Sequence, residues 1–192
     1  MSRFACIRDI AVKIDALIRT NPAAAAAIAI AAGAAATILG AWFFEYGLGL
    51  KPCPLCLDQR IPYYVAIPLA AVVAAAALRS APRGTIVAGL GLLAIIMAIS
   101  AGLGAYHSGI EWKWWAGPRD CSGPLDSLGS TKDLLQDLAT MSPVRCDQAA
   151  WRFLGLSLAG WNAIISLGLV LVAMWGILAS AMVPAARATR SA

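Results

Sequence analysis

Two cysteines with two residues between them, Cys53-Pro54-Leu55-Cys56, with Arg60 four positions beyond, stand in a short polar stretch between two uncharged runs. A C-x-x-C dithiol closes a small-ring disulfide, and one of its thiols typically ionises more readily than a free cysteine. Cys121 and Cys146 lie in the other long polar segment. Four cysteines shared between two loops suit a thiol–disulfide relay. Two other chemistries use the same atoms. Four thiolates can hold zinc, but structural zinc sites usually supply a second close pair, and Cys121 and Cys146 are 25 residues apart. Purely structural disulfides account well for Cys121 and Cys146, because outer loops meet an oxidising compartment. They account poorly for Cys53 and Cys56, since closing so small a loop removes little chain entropy. A relay without a metal is the expectation.

Arg60 follows Cys56 at i+4, which on a helix sets the guanidinium over the same face as the thiol. A fixed cation there favours the Cys56 thiolate and can hydrogen-bond an acceptor bound beside it. The plain alternative is an interfacial anchor flanking an apolar run. His107 is the one histidine of the chain. It is either an interfacial residue or a donor to an acceptor near the dithiol. Glu45 and Asp58 read as solvated loop charges, and Cys6 as an unpaired bystander.

The elements that must position these residues are membrane helices. Of 192 residues, 60% are hydrophobic and 13% charged; soluble domains run near a quarter charged. Uncharged runs cover 20–44, 61–78, 84–106 and 153–186, and a spanning helix needs about 20 apolar residues. The reading is an all-α integral membrane protein and a single domain over 1–192. A four-helix bundle has spans at about 22–44, 61–78, 85–106 and 157–182. Residues 1–21 are cytoplasmic, and periplasmic loops cover about 45–60 and 107–156. Four spans return both termini to one side. Arg3, Arg8, Lys13, Arg19, Arg79, Arg83, Arg187 and Arg190 cluster near span ends on that side, which favours cytoplasmic termini. No clustered basic face is present, so the net charge of +5 is a topology signal and nucleic-acid binding is not expected.

Ala-x-Ala patterns after the basic N-terminus resemble a signal peptide, but the uncharged run of 25 residues exceeds a hydrophobic signal core of about 7–15. The run is therefore a first span, its Ala and Gly content suited to close helix contact in lipid. Before it, Ile7, Ile10, Val12, Ile14, Leu17 and Ile18 recur at loosely helical spacing among charges, as in an interfacial amphipathic segment. In the first outer loop Pro54 can occupy the first turn of a helix with Cys53 at its N-cap, running on into span two. Alternatively span two starts at Pro62 and the dithiol lies in a loop. The long loop carries Trp112, Trp114, Trp115 and Trp151, which favour the headgroup zone. Within it, 131–140 reads as a short amphipathic helix capped by Ser130 or Thr131.

Lys51-Pro-Cys-Pro-Leu-Cys-Leu-Asp-Gln-Arg60 resembles the first-loop motif of the DsbB family, the bacterial quinone-dependent disulfide-forming membrane proteins. Tyr106-His107, Cys121, and Cys146 followed by Trp151-Arg-Phe-Leu-Gly-Leu156 resemble it too. The likeness runs from about Glu45 through Trp161. With DsbA and quinone, that family keeps the bacterial periplasm oxidising. The resemblance implies an inner-membrane oxidoreductase that re-oxidises a periplasmic DsbA-like dithiol protein and reduces ubiquinone or menaquinone. It implies disulfides Cys53–Cys56 and Cys121–Cys146, with Cys121 taking the mixed disulfide and Cys146 then attacking Cys53. Cys56 would be freed as a thiolate beside the quinone, and Arg60 and His107 would line the quinone site. A vitamin-K-epoxide-reductase-like enzyme is the rival redox reading, but there the C-x-x-C lies late in the chain. A structural membrane protein with stapled loops is the rival outside enzymes.

Overall fold

A computed structural model describes residues 3–118 and 145–182. Asn21 caps the first membrane helix by accepting the Ala24 N–H at 3.1 Å, and Pro22 fills its first turn, where a missing N–H costs nothing. Before this cap lies α1 (Arg3–Thr20), and after it α2 (Pro22–Trp42), which widens into a π turn over Phe43–Gly47. There follow α3 (Pro54–Asp58), α4 (Ile61–Leu78), α5 (Arg83–Glu111), a two-stranded hairpin of β1 (Arg152–Phe153) and β2 (Leu156–Ser157), and α6 (Leu158–Met182). Four stretches are long and apolar enough to cross a membrane: Pro22–Gly47, Pro54–Leu78, Arg83–Glu111 and Leu158–Met182.

The helices form a ring in which α2 packs on α4 and α6, and α5 packs on α4 and α6. Its interior is built from small side chains. Ala23, Ala24, Ala26, Ala27, Ile30 and Ala34 form one buried stripe of α2, whereas Ile95, Ile99, Leu167 and Leu171 face outward. Lipid is as apolar as leucine, so outward leucines cost little, and contact between helices is set by how closely backbones approach. Gly104 marks such an approach: a Cβ there would meet the Ala163 nitrogen at 2.8 Å and the Ala159 oxygen at 3.0 Å. The alanine-rich run of the first span is thus a packing surface.

Three boundaries differ from the sequence reading, each for a physical reason. The dithiol does begin a helix, but not an unbroken one. Pro62 has no N–H to return to Asp58, so the chain turns at Gln59-Arg60 and restarts with Pro62 in the first turn of α4. The third span runs on from 106 to Glu111, because nothing between Tyr106 and Trp112 breaks a helix. Its 29 residues rise about 43 Å, beyond a hydrocarbon core of about 30 Å, so its last turns carry His107 and Glu111 at the bundle's end. Finally, residues 152–157 are a hairpin and not plain loop. Leu154 and Gly155 both have positive φ (51° and 82°), the turn that matches strand twist. The amphipathic helix expected at 131–140 lies outside the described residues.

Candidate active site

The site sits where α3 meets the ends of α2, α5 and α6. Cys53 is the N-cap of α3, its sulfur accepting the Cys56 N–H at 3.3 Å. Both cysteines are thiols, with their sulfurs 2.8 Å apart. The hydrogen bond with Cys56 first, and His107 with its Nε2 3.7 Å from the same sulfur, together hold the Cys53 thiol down to about 5 against the opposing effect of burial. Of the two, Cys53 is the more readily ionised, whereas the cation expected beside the Cys56 thiol is Arg60.

Arg60 explains the difference. Its guanidinium donates to Glu45 Oε2 at 2.5 Å, and both side chains are largely buried. The π turn of α2 carries Glu45 inward to meet it. Glu45 is consequently not a solvated loop charge, although Asp58 is exposed. Arg60 still lines the same large cavity as Cys56, but the carboxylate of Glu45 balances its charge.

His107 is 2% exposed and fixed by three contacts. Gln59 Nε2 lies 2.7 Å from its Nδ1, Cys146 O lies 3.2 Å from its Nε2, and Glu111 Oε1 lies 3.9 Å from the same nitrogen. The Gln59 amide has one workable orientation. Its nitrogen donates to Leu55 O at 3.1 Å, and its oxygen accepts from Asn162 Nδ2 at 2.8 Å. Nδ1 of His107 is then the acceptor, so Nε2 carries the proton toward the Cys53 sulfur and the Cys146 carbonyl. The network continues inward: Tyr63 donates to Asn162 Oδ1 at 2.7 Å and lies 2.7 Å from Ser166 Oγ, which contacts Ser100 Oγ at 2.9 Å.

Cys146 is fully buried and disulfide-bonded. Its expected partner, Cys121, lies outside the described residues. The Cys146 segment is clipped to the end of α5 through Asp147, which accepts from Lys113 Nζ at 2.5 Å and from Arg145 Nε at 2.9 Å. Arg145 first and Lys113 second hold the Asp147 carboxyl far below its ordinary range. The result is that Cys53 Sγ, Cys146 Sγ and a His107 ring nitrogen lie within 4.8 Å of one another. A sulfur already in a disulfide is no thiolate ligand, so in this state the trio is a redox contact and not a zinc donor set.

Two cavities flank the dithiol. One, of about 680 Å³, opens between α2, α4 and α6; Cys56, Arg60, Gln59 and Asn162 punctuate walls that include Phe44 and Ile165. The other, of about 40 Å³, is lined by Cys53, Cys56, His107 and Glu111 among others. His107 is thus at the small cavity and absent from the lining of the large one. Cys6 is exposed on α1, apart from the site.

Sequence reasoning missed Gln59, Tyr63, Asn162 and Glu111. Signals for them exist. Polar residues inside apolar spans are costly unless used, which marks Tyr63, Ser100, Asn162 and Ser166. Glu111 sits at i+4 from His107, on the same helix face.

The family model described as Disulfide bond formation protein DsbB matches residues 23–176. A protein of Xanthomonas campestris pv. campestris named Disulfide bond formation protein B is 34% identical over 144 residues, covering 69% of this chain and 77% of its own. Its namesake in Saccharophagus degradans is 32% identical over 155 residues, covering 78% and 89%. That of a Polaromonas species is 30% identical over 138 residues, covering 68% and 79%. No solved structure matches significantly. Four membrane-spanning helices, a dithiol at the end of one of them and a disulfide-bonded cysteine in contact with it agree with these likenesses: the chain is a multi-pass membrane protein belonging to the DsbB family of disulfide bond formation proteins.

Proposed function

We propose that this protein re-oxidises a periplasmic DsbA-like dithiol protein and passes two electrons, through Cys121–Cys146 and then Cys53–Cys56, to a membrane quinone. One observation carries the reading: the dithiol lies between two partners, with Cys53 against Cys146 and Cys56 on the wall of the large cavity. Electrons entering from the outer disulfide therefore leave at the other sulfur, a few ångströms away.

The donor's thiolate attacks Cys121, and the released Cys146 thiolate attacks Cys53 and frees Cys56. Closing the mixed disulfide on the second donor thiol and restoring Cys121–Cys146 moves two electrons inward.

The large cavity suits a quinone. Small-molecule sites usually span about 300–1,000 Å³, with apolar walls and a few polar groups. Here aromatic and aliphatic side chains form the slot, and Arg60 offers N–H donors beyond the one bound to Glu45. A bound quinone supplies an acceptor for two electrons and two protons. The chain's own residues hold it beside the Cys56 sulfur, keep Cys53 ionised through His107, and exclude water with the aromatic rim of Phe44, Trp151 and Phe153. With the basic residues clustered near the termini and the Arg79–Arg83 turn, both termini face the cytoplasm and the thiols face the periplasm of the inner membrane.

The test replaces Cys53 or Cys56 with Ser and follows quinone reduction by a reduced thioredoxin-fold donor. Turnover should fall to the uncatalysed background in both variants; turnover at the unmodified rate in either would exclude the relay.

A further inference from the structure

Among the described residues, Glu111 Oε2 is a buried side-chain oxygen with no hydrogen-bond partner. The residue is 9% exposed and its side chain 5%. Such an atom is expensive to bury, more so in a charged group, and native structures keep few of them without a reason. Glu111 lines the small cavity together with both thiols of the C-x-x-C pair and with His107. At about 40 Å³ this space exceeds the roughly 10–15 Å³ that one water needs, and its polar lining gives water its partners.

We propose that Glu111 is the proton acceptor of the dithiol, receiving the Cys56 proton through water held in this cavity. The proposal rests on the reading of Cys53 and Cys56 as the inner redox pair. Joining their sulfurs releases two electrons and two protons from the two thiols. The two sulfurs lie 2.8 Å apart, and Cys53 is the more readily ionised of them, so the proton still to be removed from the pair is that of Cys56. Glu111 carboxylate and Cys56 thiol become carboxylic acid and thiolate. The two thiolates then form the S–S bond and give up two electrons; these pass to a quinone held beside Cys56 with two protons, one from the Glu111 acid and one from solvent, to which Cys53 lost its proton on ionising. The carboxylate ends as it began. His107 does not replace it in this role, because its Nδ1 is occupied by Gln59 and its Nε2 already carries a proton.

The charged and titratable groups facing Glu111 are His107 on its own helix, Cys53, and Arg152 on β1; Ser157 on β2 places a hydroxyl at the carboxylate. Lys51, Arg145 and Cys56 complete the cavity's titratable lining.

The test is time-resolved infrared difference spectroscopy on the purified full-length protein while its thiols are oxidised by diamide, so that no quinone is required. A carboxylic-acid C=O band should rise and decay as the disulfide forms in the unmodified protein, and Glu111→Gln should remove that transient. In turnover with a reduced dithiol donor and a soluble quinone analogue, Glu111→Gln should lower kcat about a hundredfold, the scale of one acid–base group. KM for the donor should stay unchanged, and rate should return as pH rises and hydroxide takes over. A difference spectrum without a carboxyl band, or with one that persists in Glu111→Gln, overturns the proposal. If that variant does not fold, the spectrum of the unmodified protein still decides, since lack of the band is fatal. A band that follows thiol oxidation in a protein unable to reduce quinone upholds Glu111 and removes the quinone reading alone.

Discussion

The Cys53 sulfur gathers an N–H from its own helix, the Cys56 thiol and the His107 Nε2 around itself in a buried position. A thiol so placed reacts as an anion at pH values where an ordinary cysteine is protonated. Alkylation of Cys53 in the reduced protein should reach half its maximal rate near pH 5. In His107→Phe that midpoint should move upward, measured by iodoacetamide trapping across pH. The same shift has a sign for stability. The folded value lies below the ordinary 9.0, so the contribution is complete above about pH 9, declines as pH falls, and is gone below about 5. The melting temperature of the reduced protein should fall across that window, and Cys53→Ser should flatten the slope. Arg60 makes a separate prediction. Arg60→Gln removes donors on the large cavity and strands Glu45; a charge-assisted hydrogen bond of about 1.5–3 kcal/mol corresponds to about tenfold or more in affinity. KM for quinone should rise by that factor while KM for the protein donor stays level; equal rises would make Arg60 an anchor only.

At the scale of elements, the bundle depends on backbone proximity and not on bulky cores. Gly104→Leu would drive a side chain into the α6 backbone, and its melting temperature in detergent should collapse relative to Gly102→Leu, which meets open space. Gly104→Ala should cost about 1–3 kcal/mol, the usual range for overpacking. Helix existence was legible because uncharged length alone decides it: Arg19, Glu45, Arg60, Arg79, Arg83 and Arg152 bracket the runs. Helix ends were less so. Charge suggested that the third span stops near His107, yet Glu111 is tolerated inside because its neighbours are polar and close. The π turn at Phe43–Gly47 had no signal in periodicity, since one widened turn shifts register without altering composition. α1 keeps Ile7, Ile10 and Ile14 unburied on one face, with Asp9–Lys13 and Asp15–Arg19 pairs on the other, as the amphipathic reading required.

For the whole molecule, the cysteine pattern located the site before any coordinate did, because thiol chemistry is confined to so few residue types. What it could not supply was partnership. Nothing in Glu45, Gln59 or Asn162 alone says that they meet Arg60, His107 and Tyr63, because these contacts depend on the order of helices in the ring. Cys146 meets Cys53, and Cys56 stands on the wall of the large cavity. The hydrogen-bonded series from His107 through Gln59 to Asn162 has a further consequence. Gln59 and Asn162 are separated by 103 positions, so the residue that fixes the Gln59 amide is translated long after the thiols. A nascent chain with three helices inserted already displays Cys53 and Cys56 with Gln59 beside the imidazole, but that amide still lacks the α6 side chain that sets which of its atoms faces the ring. The finished arrangement of the site therefore arrives with the last helix.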